Sequence, residues 1–251
     1  MNVNETVLNI LSNSTTSGAM LTLPGYLDRA LYLQANTVLE AAGGKWNRKA
    51  KAHVFAGDAA DAMDQIILTG SVTIPQDFGY FPTPPAVVAR LLELAELRPR
   101  HRVLEPSAGQ GAIAYEVVKR IGARVDCVEL LDANIKALQA LERDGNLNGT
   151  LHQADFLSIE PQPFYDRIVM NPPFAKQADV HHVLHALKFL KPIGLLVAVM
   201  AGGVTFRDNK LTVGFRDLVD ERGGTIDPLP EGSFKASGTG VNTAIVTIPG
   251  A

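Results

Sequence analysis

The sequence contains one cysteine, Cys127, in 251 residues. A single thiol allows no internal disulfide and no cysteine-based zinc site, which fits a reducing compartment. Long apolar runs are missing as well. No stretch is long enough to span a bilayer, and the start carries no cleavable signal pattern. A surplus of positive charge is also absent. The formal net charge is −3, which excludes a polycation that coats nucleic acid; contact with a polyanion would have to come from local basic clusters. No internal repeat is found, and no low-complexity tract beyond residues 1–20. These absences point to a cytoplasmic enzyme.

Hydrophobic residues make up 46% of the chain. That is enough for a full α/β core with residues left over for one small unit. Residues 1–20 are polar, rich in Asn, Ser and Thr, and are expected to fray. Residues 21–77 read as an N-terminal extension, helical and basic in part. Within it, apolar spacing predicts a helix over 26–42, stopped by Gly43 and Gly44. Lys45, Arg48, Lys49 and Lys51 then gather around Trp46. A second short helix or an irregular segment is expected over 57–69.

Residues 78–251 alternate strand and helix. Strands are expected at 102–108, 123–130, 150–157, 165–171, 194–200 and 243–248, with helices over 113–123, 133–144 and 180–191. This rhythm predicts an α/β fold with a doubly wound, largely parallel sheet and ligand sites at the carboxyl ends of its strands.

The first strand runs through Glu105 and Pro106 into Ser107, Ala108, Gly109 and Gly111. A third glycine is missing, so the turn alone is weak evidence for a nucleotide site. Glu105 is more telling. A carboxylate there would repel a diphosphate, and it suits a ligand with a cationic amino-acid end. Glu129, followed by Leu130, closes the second strand about 20 positions later, where an acid can accept from two ribose hydroxyls. Asp155 and Phe156 follow the third strand. Asp can accept from an adenine amine and Phe can cover the ring. Each residue alone could be an ordinary loop acid or core aromatic; together they form a coherent nucleoside site.

These segments resemble the class I methyltransferases. LEPSAGQGAIA is similar to their first motif, VEL (128–130) to the acidic second and ADF (154–156) to the third. The resemblance implies S-adenosylmethionine as cofactor and a Rossmann-like sheet. Upstream, FPTPPAVVARLL (81–92), with Phe81, resembles the segment before the first motif in amino-methyltransferases. There a Thr-Pro pair at a helix start helps bind the methionine end; here the pair is Thr83-Pro84. A Thr N-cap followed by Pro at the first helical position would present free N–H groups to a carboxylate.

The strongest signal is Asn171-Pro172-Pro173-Phe174 after the strand DRIVM. The prolines remove two donors and fix the turn. The Asn side-chain oxygen and the Pro172 carbonyl can then accept from both hydrogens of an aromatic amine. That localises the nitrogen lone pair for attack on a methyl group, while Phe174 stacks on the base. No residue with a matched pKa is needed, since the proton can leave after transfer. This motif resembles that of the N6-adenine and N4-cytosine methyltransferases and, more loosely, of glutamine methyltransferases. Asn171 favours adenine over cytosine, and Phe174 speaks against glutamine.

The resemblance implies a compact stand-alone DNA adenine methyltransferase of the bacterial or phage type, nucleoid-associated, with DNA as partner; a homodimer is expected. An RNA adenine methyltransferase is the first rival, a protein glutamine methyltransferase the second. A catalytically silent binding module is disfavoured by the intact acidic set. Phe234, in a late motif, is the candidate for stacking on the far side of the flipped adenine. Lys45, Arg48, Lys49, Lys51, Arg207 and Lys210 are the candidate DNA contacts. His181, His182 and His185 invite a metal reading, because His181 and His185 stand four apart on one helix face, as a zinc site could use. No third ligand or HExxH pattern supports it, so no metal is expected.

Overall fold

The computed structural model describes residues 3–55, 57–72, 82–237 and 240–251. Phe81 lies outside them. The expectation that residues 1–20 fray does not hold for the described part. Helix α1 (Glu5–Ser12) is capped by Asn4, whose side chain accepts from Val7 N–H, and it buries Val7, Leu8 and Leu11. Strands β1 (Thr15–Ser17) and β2 (Met20–Thr22) follow. Then come helix α2 (Arg29–Ala41), strands β3 (Lys45–Asn47) and β4 (Ala52–Val54), and helix α3 (Ala59–Thr69). The strands pair antiparallel in the order β1-β2-β4-β3. The helices pack with them around Leu11, Leu21, Leu39, Phe55 and Ile66. Three-residue strands are too short to show alternation, which is why the sequence did not reveal them.

The larger sheet begins after α4 (Pro85–Leu94). Its elements are β5 (Arg102–Pro106), α5 (Ala112–Ile121), β6 (Arg124–Glu129), α6 (Asp132–Arg143), β7 (Leu151–Gln153) and β8 (Tyr165–Met170). The chain continues through α7 (Ala178–Ala186), β9 (Leu190–Ala201), α8 (Lys210–Glu221), β10 (Thr225–Pro228) and β11 (Thr243–Pro249). Strand order is β10-β11-β9-β8-β5-β6-β7. Strands β5 to β9 are mutually parallel, while β11 inserts antiparallel between β9 and β10.

Alternate residues of the central strands enter two separate cores, as a sheet covered on both faces requires. Val103, Val125, Val169, Val197 and Ile245 pack with α4 and α5. Leu104, Ile168, Met170, Leu196, Ala198 and Val246 pack with α7 and α8. Cys127 is fully buried in the first core, and burial pushes its thiol well above the usual range.

Helix α3 belongs to both units. Leu68 joins the first core of the large sheet, and its carbonyl accepts from Asn242 N–H at 3.1 Å, just before β11. The segment 202–217, which carries the candidate contacts Arg207 and Lys210, is mostly helix. A 3-10 turn at Gly202–Thr205 leads into α8, which buries Thr212, Phe215 and Val219 against the sheet.

Candidate active site

The carboxyl ends of β5, β6, β7 and β8 open on one cavity of about 270 Å³. Thirteen residues anticipated from sequence line it: Thr83, Glu105, Ser107, Ala108, Gly109, Glu129, Leu130, Asp155, Phe156, Asn171, Pro172, Pro173 and Phe174. Asn134, Leu131 and His182 line it too and were not foreseen as cavity residues. Asn134 is buried on the first turn of α6, directly beyond Glu129. A polar side chain on the first turn after an acidic strand end was the available signal.

The turn between β5 and α5 is built on left-handed backbone at Ser107 (φ 65°), Gly109 (φ 55°) and Gly111 (φ 84°). Gly111 does not line the cavity. A Cβ there would stand 2.7 Å from Leu141 and 2.8 Å from Leu138 of α6. Its role is close helix packing in a conformation that L-residues avoid. Pro106 and Pro84 also lie outside the lining.

Glu105 is buried, and one carboxylate oxygen accepts from Ala114 N–H at 2.7 Å. Burial raises its pKa well above the ordinary value, with Glu129 nearby adding to the shift. A buried carboxylate with one protein donor is suited to a cationic ligand group. Glu129 accepts from Gly109 N–H at 2.7 Å on one oxygen, and from Leu130 and Leu131 N–H at 2.8 Å on the other. These three donors fix the carboxylate at the cavity wall. Asp155 is exposed and caps the short turn Phe156–Ser158, accepting from Leu157 N–H at 3.0 Å. Phe156 is buried against Phe189 and His185.

Thr83 lines the cavity, but it is not the helix cap expected of it. The N-cap of α4 is Pro84, with Pro85 at the first helical position and no side-chain cap. The Thr83 hydroxyl instead accepts from Asn171 Nδ2 at 3.1 Å. This turns the amide so that Nδ2 faces Thr83 and Oδ1 is its acceptor end. The physical reason for the difference is the second proline, which moves the helix start one residue on. Phe174, at the end of the four-residue loop, is largely buried between the cavity and the first core.

Two further expectations are corrected. Phe234 is fully buried in the first core and does not line the cavity, so it is a core aromatic. Arg207 is buried, 5% exposed, and cannot reach a polyanion. Burial lowers its pKa, and Asp64 and Asp179 oppose that shift. Asp179 is itself buried, accepts from Ala201 N–H at 2.9 Å, and is pushed up to about 6 by burial. Lys210, by contrast, is exposed at the start of α8.

Of the three histidines, His181 is exposed and His185 meets the Ile159 carbonyl at 3.0 Å. His182 donates from Nδ1 to the Ala178 carbonyl at 2.8 Å, and burial lowers its pKa. No cluster of metal-binding side chains occurs among the described residues. No helix among them is long and apolar enough to cross a membrane.

The family model "Methyltransferase small domain" matches residues 87–218, more than half of the chain and most of the cavity wall. The chain belongs to this methyltransferase family. Among curated proteins, the methylase subunit of the type I restriction enzyme StySPI from Salmonella potsdam is 24% identical over 233 residues. The match takes in 76% of this chain and 44% of that subunit, so the methyltransferase spans less than half of its relative. Among solved structures, TrmN from Thermus thermophilus is 25% identical with a TM-score of 0.51, covering 66% of this chain and 49% of that one. The 23S rRNA methyltransferase ErmE has 24% identity and a TM-score of 0.52, with 68% and 70% covered; it shows the shared fold.

S-adenosylmethionine is accordingly the cofactor of this methyltransferase, and it supplies an electrophilic methyl group on a sulfonium. The residues present suit it. Glu105 would offer a buried carboxylate to an ammonium, and Glu129 and Asp155 would offer acceptors to the nucleoside. The raised pKa of Glu105 gives a prediction. Protonated Glu105 cannot pair with an ammonium, so cofactor affinity should fall as pH drops through a midpoint above the usual carboxylate range. Glu105→Gln should flatten that dependence and weaken binding about ten- to a hundredfold, the worth of a charged hydrogen bond. Titration calorimetry across about pH 5 to 8 checks both. A pH profile that is the same in both proteins would remove Glu105 from the ammonium site.

Proposed function

We propose that this methyltransferase transfers the methyl group to the N6 amine of an adenine extruded from DNA. One observation carries the reading: the loop Asn171-Pro172-Pro173-Phe174 opens on the same cavity as Glu105, Glu129 and Asp155, with Asn171 oriented by Thr83. Asn171 Oδ1 and the Pro172 carbonyl accept from the two amine hydrogens, and Phe174 packs on the base. The nitrogen lone pair, drawn out of the ring, would then be free to attack the methyl group that S-adenosylmethionine supplies. The sulfonium would be the leaving group, and the extra proton would pass to solvent. Catalysis is alignment and electrostatics, with no general base required.

The likeness to a restriction-enzyme methylase subunit over three quarters of the chain favours DNA as the polymer. So does the hairpin joining β3 and β4. Of the five cations among residues 1–72, four lie within 45–51. Arg48, Lys49 and Lys51 are exposed at its tip, and Lys45 on its first strand. Asn47 organises the tip by accepting from Lys49 and Ala50 N–H at 3.0 and 3.1 Å. Trp46 is 47% exposed beside them, tilted against His53. A rigid turn bearing cations and an aromatic suits a phosphate backbone and a base face. Lys210 is a further exposed cation for the same contact.

The test is transfer of labelled methyl from S-adenosylmethionine to unmethylated bacterial genomic DNA, with total RNA and a protein extract in parallel. Label in N6-methyladenine from DNA is expected. Label confined to RNA or protein would overturn the substrate while leaving fold and cofactor in place.

A further inference from the structure

We infer that the N-terminal unit braces the transfer loop, with Asp64 of α3 as a positioning residue for the reaction. The inference rests on reading 171–174 as the transfer loop. Immediately after that loop the backbone takes two consecutive left-handed residues that are not glycine, Lys176 (φ 53°) and Gln177 (φ 60°). Such residues persist only where their surroundings over-determine them. Both are held by side chains from elsewhere in the chain. Asp64 accepts from Lys176 N–H at 2.5 Å. Gln177 Oε1 accepts from Asn209 Nδ2 at 3.0 Å and from the Thr212 hydroxyl at 2.7 Å, at the start of α8.

The turn is therefore clamped from two sides, by the N-terminal unit and by α8. It sits between the loop that presents Asn171 and the helix α7 that presents His182. Without the clamp, the chain after Phe174 can relax toward ordinary helical or extended backbone. That would shift the acceptors that meet the amine, while the cofactor wall on β5 and β6 stays in place. Asp64 is well placed to hold because it is partly buried and anchored on a helix that also joins the main core. The Lys176–Asp61 ion pair at 3.3 Å is exposed and adds little.

The experiment is hydrogen exchange on the full chain for the wild type, Asp64→Ala, Asp61→Ala and the double variant Asp64→Ala/Lys176→Gly. Methyl transfer and cofactor affinity are measured alongside, with genomic DNA as acceptor. Asp64→Ala should speed exchange of the 174–178 amides about tenfold or more and leave the β5 amides unchanged. Turnover should fall about tenfold, with cofactor affinity held within about twofold. Lys176→Gly removes the conformational cost at that residue and should restore much of both losses. Asp61→Ala should behave as wild type.

Unchanged exchange at 174–178 would overturn the brace. So would a uniform rise across the whole protein, or a loss that glycine does not recover. Exchange needs no acceptor, so it decides the matter even if the DNA reading fails.

Discussion

Asn171→Ala is expected to leave cofactor affinity within about threefold of wild type while lowering the rate of methyl transfer about a hundred- to a thousandfold, the range for loss of one preorganised polar group at a developing charge. The side chain reaches the cavity from the end of β8, and Thr83 holds its Nδ2. In the proposed reaction its oxygen is the acceptor for one amine hydrogen. Losing it returns the lone pair to the ring and frees the base to rotate. In the same proposal, ground-state binding of cofactor rests on other groups, chiefly Glu105 and Glu129, which line the cavity. Single-turnover kinetics with saturating DNA separates the chemical step from binding. Asn171→Asp keeps an acceptor but loses the donor to Thr83, so it should fall between the two. Equal losses in cofactor binding and turnover in Asn171→Ala would show that the residue shapes the cofactor pocket instead.

The second large effect is expected at the β3–β4 hairpin. Replacing Lys45, Arg48, Lys49 and Lys51 by Ala should weaken DNA binding about a hundredfold at low salt. The plot of log affinity against log salt should become shallower by about 3 to 4, as four phosphate contacts and their released counterions vanish. Trp46→Ala should lower affinity while leaving the slope near its original value, because base stacking releases no counterions. Methyl transfer at saturating DNA should survive in both variants, since the hairpin takes no part in the cavity. Fluorescence anisotropy over a salt series reads both effects. An unchanged slope in the quadruple variant would remove the hairpin from the interface.

Much of the large sheet could be read from sequence because its central strands are buried on both faces. Continuous apolar runs such as Leu196–Met200, punctuated by Gly and Pro, mark such strands without ambiguity. The site was legible for a related reason. In a parallel sheet the residues that end strands face one edge, so Glu105, Glu129, Asp155 and Asn171 had to converge.

What was not legible depends on contacts between distant segments. Helix propensity and N-cap chemistry allowed Thr83 as a cap, but the fold used its hydroxyl to orient Asn171. Phe234 next to a glycine-rich stretch could line a pocket or fill a core, and local sequence does not choose between them. Arg207 looked like a surface cation because its acidic neighbours, Asp64 and Asp179, come from two other helices. The small N-terminal sheet escaped notice because its strands are each three residues long.

The contact between Leu68 and Asn242 bears on the order in which the molecule is assembled. Helix α3 is synthesised long before its main-chain partner on the large sheet. Contacts of such wide sequence separation form late, after the ordering entropy of the intervening chain has been overcome. The strand beside Asn242, β11, must also slot between β9 and β10, so the sheet closes only after almost everything else is in place. Docking of α3 through Leu68 therefore waits on Asn242 and the strand that follows it. A nascent chain could pair β5 with β6 well before the contact between Leu68 and Asn242 can form.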